Sequence, residues 1–122
     1  MNVHNVHERA LAASPDRVTA LFDDMDRLWP APVPRREEGQ LRLGLMLWRR
    51  DDRCSYRIVA PPEFPARHWF EVDADGYGGT ILRHTVEGEA VGDFEEIWRD
   101  RVEPMHDVYI EMLFDRAEEA LA

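Results

Sequence analysis

Residues 78–90 read GGTILRHTVEGEA, and their alternation decides the fold. Ile81, Arg83, Thr85, Glu87 and Glu89 make one row; Thr80, Leu82, His84, Val86, Gly88 and Ala90 make the other. A period of two over this length marks a half-buried β-strand. The first row suits water, so the second faces a core. That places an imidazole, His84, among buried positions.

The stretch just before it behaves the same way. In RHWFEVD, residues 67–73, Arg67, Trp69, Glu71 and Asp73 share one face, and His68, Phe70 and Val72 share the other. Between the two runs lies ADGYGG, a glycine-rich hairpin loop. A turn centred on Gly76 sets His68 opposite His84, Phe70 opposite Leu82 and Val72 opposite Thr80. A slip of one residue would turn the Arg83 row inward and is disfavoured. A slip of two leaves the histidines diagonal, still within roughly 7–8 Å. Either register puts both imidazoles on the inner face.

Further upstream the strand pattern continues. Leu41, Leu43, Leu45 and Leu47 share a face in QLRLGLML, and in CSYRIVA the wet Arg57 sends Cys54, Tyr56 and Ile58 inward. RRDD and PPEFP interrupt the strands, and PAPVPRREEGQ is a proline-rich connector. Before that connector, SPDRVTALFDDMDRLW predicts a helix: Ser14 caps it, Pro15 suits its first turn and Pro30 stops it. VHNVHERALAA at the start reads as a strand whose inward parity is open.

Downstream of the hairpin, residues 92–122 form one long helix. Asp93 and Glu96 have capping-box spacing, and Pro104 predicts a kink. Phe94, Ile97, Trp98, Val102, Met105, Val108, Tyr109, Met112 and Leu113 read as its core face. A second row, Ile110, Phe114, Ala117 and Leu121, reads as contact with a flanking element or as a homodimer seam. The order is strand, helix, antiparallel meander, long helix: an α+β chain in which the helix must cross the concave face of a curved sheet. That geometry predicts a pocket between them.

Composition narrows the function. At 122 residues, with 44% hydrophobic and 33% charged, the chain suits a single globular domain spanning 1–122. A net charge of −10 argues against a nucleic-acid partner held by its phosphates, and against docking on anionic lipid. All fifteen basic residues are Arg, which excludes lysine nucleophiles. No apolar run has the length to enter a membrane as a helix or the form of a signal peptide, and a single Cys excludes an internal disulfide, so a cytoplasmic location is expected.

The stretches ERALAASPDRVTALFDDMDRLWP, HWFEV, GGTILRHTVEGEA and PMHDVYIEMLFDRAEEAL resemble the SRPBCC superfamily, which includes START-related lipid-transfer domains and polyketide cyclase/dehydrase-like proteins. The nearest look is to the small bacterial cyclase-like branch. The resemblance covers most of the chain and implies a helix-grip fold. Residues between Trp29 and Cys54 are few for that family, which predicts a clipped or merged strand pair and a smaller pocket.

The expected function is binding of a small hydrophobic molecule, a lipid, polyketide or aromatic metabolite. Its expected lining is Tyr56, Ile58, His68, Phe70, Leu82, His84, Val86, Trp98, Met105, Tyr109 and Met112. The alternative is a cyclase/dehydratase in which His84 or His68 is the base; an interaction module with a collapsed pocket is a third. Two imidazoles in an apolar space suppress each other's protonation, so at least one should be neutral at pH 7. Arg101 and Arg116 are candidate cavity arginines in the enzymatic reading. No compact ligand motif exists, so neither a metal nor another cofactor is expected; His68 and His84 would need Cys54 or His106 to complete a site. The bland reading of the inner histidines is that of satisfied core residues. His106 sits at the flank of the predicted core face and reads equally as a surface residue.

Overall fold

The computed structural model describes residues 1–22, 28, 35–37, 40–43, 46–50, 56–59 and 66–122, with the backbone alone for the strands between 35 and 68. Among the described residues, seven strands and a long terminal helix make an α+β architecture. Strand β1 (Asn2–Leu11) leads into helix α1 (Pro15–Leu21). Four short strands follow: β2 (Arg35–Glu37), β3 (Gln40–Leu43), β4 (Met46–Arg50) and β5 (Tyr56–Val59). Strands β6 (Ala66–Ala74) and β7 (Thr80–Glu89) precede the helical run of α2 (Phe94–Ile97), a π turn (Trp98–Val102) and α3 (Glu103–Leu121). The described pairings are antiparallel, in the orders β1-β7-β6 and β2-β3-β4-β5. The described strands of the central segment are three to five residues long, and QLRLGLML, expected as one strand, divides into β3 and β4 with Leu43 opposite Met46 and Arg42 opposite Leu47.

Helix α1 starts as its sequence dictates: Ser14 Oγ accepts from Arg17 N at 3.3 Å, with Pro15 in the first turn. The remainder of the helix expected to Trp29 falls outside the described residues, apart from buried Leu28. The terminal helix differs from expectation at its start. Asp93 makes no side-chain cap. The break imposed by Pro104 takes the form of a π turn, in which the N–H of Glu103 donates back to Trp98 O. Proline has no N–H to give residue 100, and a wider turn relieves the clash of its ring with the preceding carbonyl.

The β6–β7 hairpin is two residues out of the expected register. Phe70 faces His84, Val72 faces Leu82, and His68 faces Val86. The turn is centred on Tyr77 rather than Gly76, because residues 75–79 form a five-residue loop with Ala74 opposite Thr80. Asp75 closes it by accepting from the backbone N–H groups of Tyr77 (2.7 Å) and Gly79 (2.9 Å). Gly76 and Gly78 stand at φ +85° and +87°, a conformation costly for other residues. A shift of two preserves the faces, so the inward row survives intact.

On the outer face Arg83 binds Glu8 (2.6 Å), Glu71 (2.6 Å) and Asp73 (3.0 Å) across three strands. Thr85, expected to be wet, is buried. It lies on the central strand between Val6 and Trp69, which cover it.

The parity of β1 is settled by its partner: Val3, Asn5, His7, Arg9 and Leu11 face the same side as the inner row of β7. Two apolar clusters result. One joins Leu11, Val18, Phe22, Phe70 and Leu82 to Ile110, Leu113, Phe114 and Ala117. The other joins Val3, Val86 and Ala90 to Phe94 and Trp98. The helix therefore buries the row that includes Ile110 and Phe114, and this row is core, not a dimer seam. Ile97, Met105, Val108 and Met112 are 41%, 43%, 59% and 39% exposed. Met112 is two residues past Ile110, about 200° round the axis, and so lies on the opposite side of the helix.

Candidate functional site

Each element bounding the interior carries a polar residue between the two apolar clusters. On β1 the inner row runs Val3, Asn5, His7, Arg9, Leu11. On β7 it runs Val86, His84, Leu82. On the terminal helix His106 lies between Trp98 and Ile110. These positions line up because β1 and β7 pair with His7 opposite His84, and the helix lays His106 over both. A layer of three imidazoles results. His84 and His106 have ring centroids 5.0 Å apart, and His7 and His106 meet edge-on at 5.8 Å. Phe70 packs tilted against His84 from the other neighbouring strand at 4.7 Å, and Trp98 closes on His106 at 6.4 Å.

The environment sets the charge on this layer. His84 is fully buried, and its pKa lies well below the ordinary value for histidine, through burial first and then the neighbouring His106 and His7. His106 is pushed down to about 4 by burial, against the opposing pull of Asp107. Both are neutral imidazoles at pH 7, able to accept or donate one hydrogen bond at each ring edge. Around them the inner sheet face offers Phe70, Leu82 and Val86, all buried. The arrangement is a mostly apolar interior with a few uncharged polar groups, able to orient a ligand or to move a proton.

Among the other candidates, Trp98 is buried in the second cluster and Tyr109 is half-buried on the flank of the helix. Met105 and Met112 turn away from the interior, for the rotational reason given above, and do not join His84. Arg101 is exposed and Arg116 is half-buried. The side chains of Tyr56, Ile58, His68 and Cys54 lie outside the described residues; the register places His68 diagonal to His84. His106, ambiguous from its flank position, belongs to the layer. His7 lies on the first strand, whose inward parity the sequence leaves open; only the odd-numbered parity puts both Val3 and Leu11 inward, and His7 goes with them.

Beside the layer, at the seam between β1 and the terminal helix, carboxylates meet polar strand residues. Asp107 Oδ1 accepts from Asn5 Nδ2 at 2.8 Å and lies 2.9 Å from His7 Nε2 and 3.4 Å from His106 Nδ1. Burial would raise the Asp107 carboxyl, but these hydrogen bonds hold it below its ordinary range. Arg9 continues the seam, binding Glu111 (3.1 Å), Asp115 (2.9 Å) and Glu118 (2.8 Å).

No family model matches the sequence, and no curated protein does. Solved structures do match in shape. The Zhui aromatase/cyclase from a Streptomyces species aligns with a TM-score of 0.62 at 18% identity, covering 100% of this chain and 97% of its own. A START superfamily protein from Mycobacterium smegmatis aligns at 0.61 and 15% identity, covering 98% and 99%. A protein from Thermus thermophilus aligns at 0.59 and 22% identity, covering 96% and 95%. The chain thus has the helix-grip fold of START superfamily proteins. No helix among the described residues is long and apolar enough to cross a membrane.

Proposed function

We propose that the protein binds a small hydrophobic molecule, a lipid, polyketide or aromatic metabolite, between its sheet and its terminal helix. The observation that carries this reading is His84: an uncharged imidazole, fully buried, on an inner sheet face otherwise made of Phe70, Leu82 and Val86. A single uncharged polar group among apolar walls is the usual means of orienting an apolar guest. The helix-grip fold supports the reading, as does the resemblance to START-related lipid-transfer and polyketide-cyclase-like proteins. Phe70, Leu82, His84, Val86 and Trp98 are its proposed contacts, joined by Tyr109 at the flank and by Tyr56, Ile58 and His68 on the adjoining strands.

A second reading is favoured by the adjacent pair His84 and His106. Two neutral imidazoles at this spacing suit a base that removes a proton next to a carbonyl and a neighbour that steadies the product. In this reading the protein is a cyclase or dehydratase, with His84 as base and His68 as the alternative.

Native mass spectrometry of the protein purified from its own host tests the binding reading: an apolar adduct released on denaturation is the expected result. The reading fails if no adduct appears and no lipid, polyketide or aromatic probe binds. His84→Phe separates the two readings. A carrier keeps most of its affinity, whereas an enzyme loses turnover far more than affinity.

A further inference from the structure

The seam between β1 and the terminal helix holds side chains that ligand binding does not use. We propose that His7, His106 and Asp107 form a site for a divalent transition-metal ion of the zinc type.

The geometry comes first. One ligand atom from each residue can be chosen so that all lie within 4.8 Å of one another. His7 Nε2 and His106 Nδ1 stand 2.9 and 3.4 Å from Asp107 Oδ1. A tetrahedral ion with bonds of about 2.0–2.1 Å has ligand edges of about 3.3 Å, so small rotations of these side chains suffice. Two imidazole nitrogens and one carboxylate select zinc, cobalt, nickel or copper over calcium or magnesium, which prefer oxygen.

The surroundings argue in the same direction. Asn5 Nδ2, His7 Nε2 and His106 Nδ1 all converge on the single oxygen Asp107 Oδ1, which brings the three ligand residues to one point. Glu103 and Glu111 stand four residues either side of Asp107 on the same helix, so three like charges share one stripe. Among the described residues, Glu103 faces Asn5, which is uncharged, and Glu111 shares Arg9 with two further acids. Glu111 Oε1 lies 3.3 Å from His7 Nδ1 and stands ready as an outer partner that fixes the ring. Asn5 Oδ1 is buried with no hydrogen-bond partner among the described residues, and a metal-bound water would donate to it.

The site does not depend on the hydrophobic-ligand reading. It stands at the β1 edge of the histidine layer, and His106 is shared between them.

The test uses the untagged chain, stripped with a chelator and titrated with Co²⁺ and Zn²⁺. Co²⁺ should develop the visible absorption of a four-coordinate site at one equivalent, and Zn²⁺ should displace it and raise the thermal midpoint. His7→Gln and Asp107→Asn, each checked for native circular dichroism, should weaken binding at least about tenfold. His4→Gln, an exposed neighbour on the outer face, should leave it unchanged. The site is overturned if neither ion binds, or if both seam variants bind as tightly as the parent.

Discussion

The terminal helix carries two apolar rows of similar size and opposite fate. Ile110, Leu113, Phe114 and Ala117 are sealed against the sheet and α1, while Ile97, Met105, Val108 and Met112 face outward. What separates them is the acidic stripe that runs between, Glu103, Asp107, Glu111, Asp115 and Glu118. That stripe meets Asn5, His7 and Arg9 of β1. Once it is docked, the helix cannot rotate, and the apolar row next to the sheet is the one that becomes core. Polar contacts of modest strength thus choose which apolar face is buried, and burial then supplies the energy.

The comparison breaks most visibly at Phe114. Phe114→Ala should destabilise the fold by about 3–5 kcal/mol, through lost transfer energy and a residual cavity. Met112→Ala, of the opposite row, should stay within about 0.5 kcal/mol. Urea unfolding of both variants decides the matter, and equal costs would mean that the rows are exchanged.

Acidification should act next most strongly, on the histidine layer. His84 and His106 have folded pKa values below those of the unfolded chain, so the unfolded state binds more protons as pH falls below about 6.5. Stability is then fully present above that pH and is lost as pH falls, at about 1.4 kcal/mol per unit per histidine. The His106 share ends near its folded pKa of about 4, and the His84 share is lost in the same direction. Asp107 and Glu71, both depressed, lose their contributions in the same direction. His106→Gln should flatten part of the profile; a profile already flat between about pH 7 and pH 5 contradicts the buried layer.

The smallest effect should come from the seam itself. Arg9→Met leaves Glu111, Asp115 and Glu118 unbalanced and removes a guanidinium 5.6 Å from the Phe114 ring. A loss of about 1 kcal/mol is expected, shrinking with added salt. A variant as stable as the parent at low salt would show that packing alone sets the rotation of the helix.

Much of this molecule was legible residue by residue. The alternation in GGTILRHTVEGEA put His84 inside, and its own strand was enough to do so. Phe70, Leu82 and Val86 followed from the same period of two, and a register error of two residues left them in place because side chains repeat over that interval. Ser14 and Pro15 marked the start of α1. Less was legible on the terminal helix: of its expected core face Phe94, Trp98 and Leu113 are buried, whereas Ile97, Met105, Val108 and Met112 are exposed.

Periodicity alone determined which residues share a face, because that depends on local backbone geometry. It determined the element order, the inward row of the hairpin and the burial of His84. Only the tertiary structure decided which face meets which. The choice of helix row, the parity of β1 and the meeting of His7, His106 and Asp107 depend on contacts between residues about a hundred positions apart. No local pattern encodes such contacts, since they arise from the docking of elements whose separate periodicities allow more than one orientation.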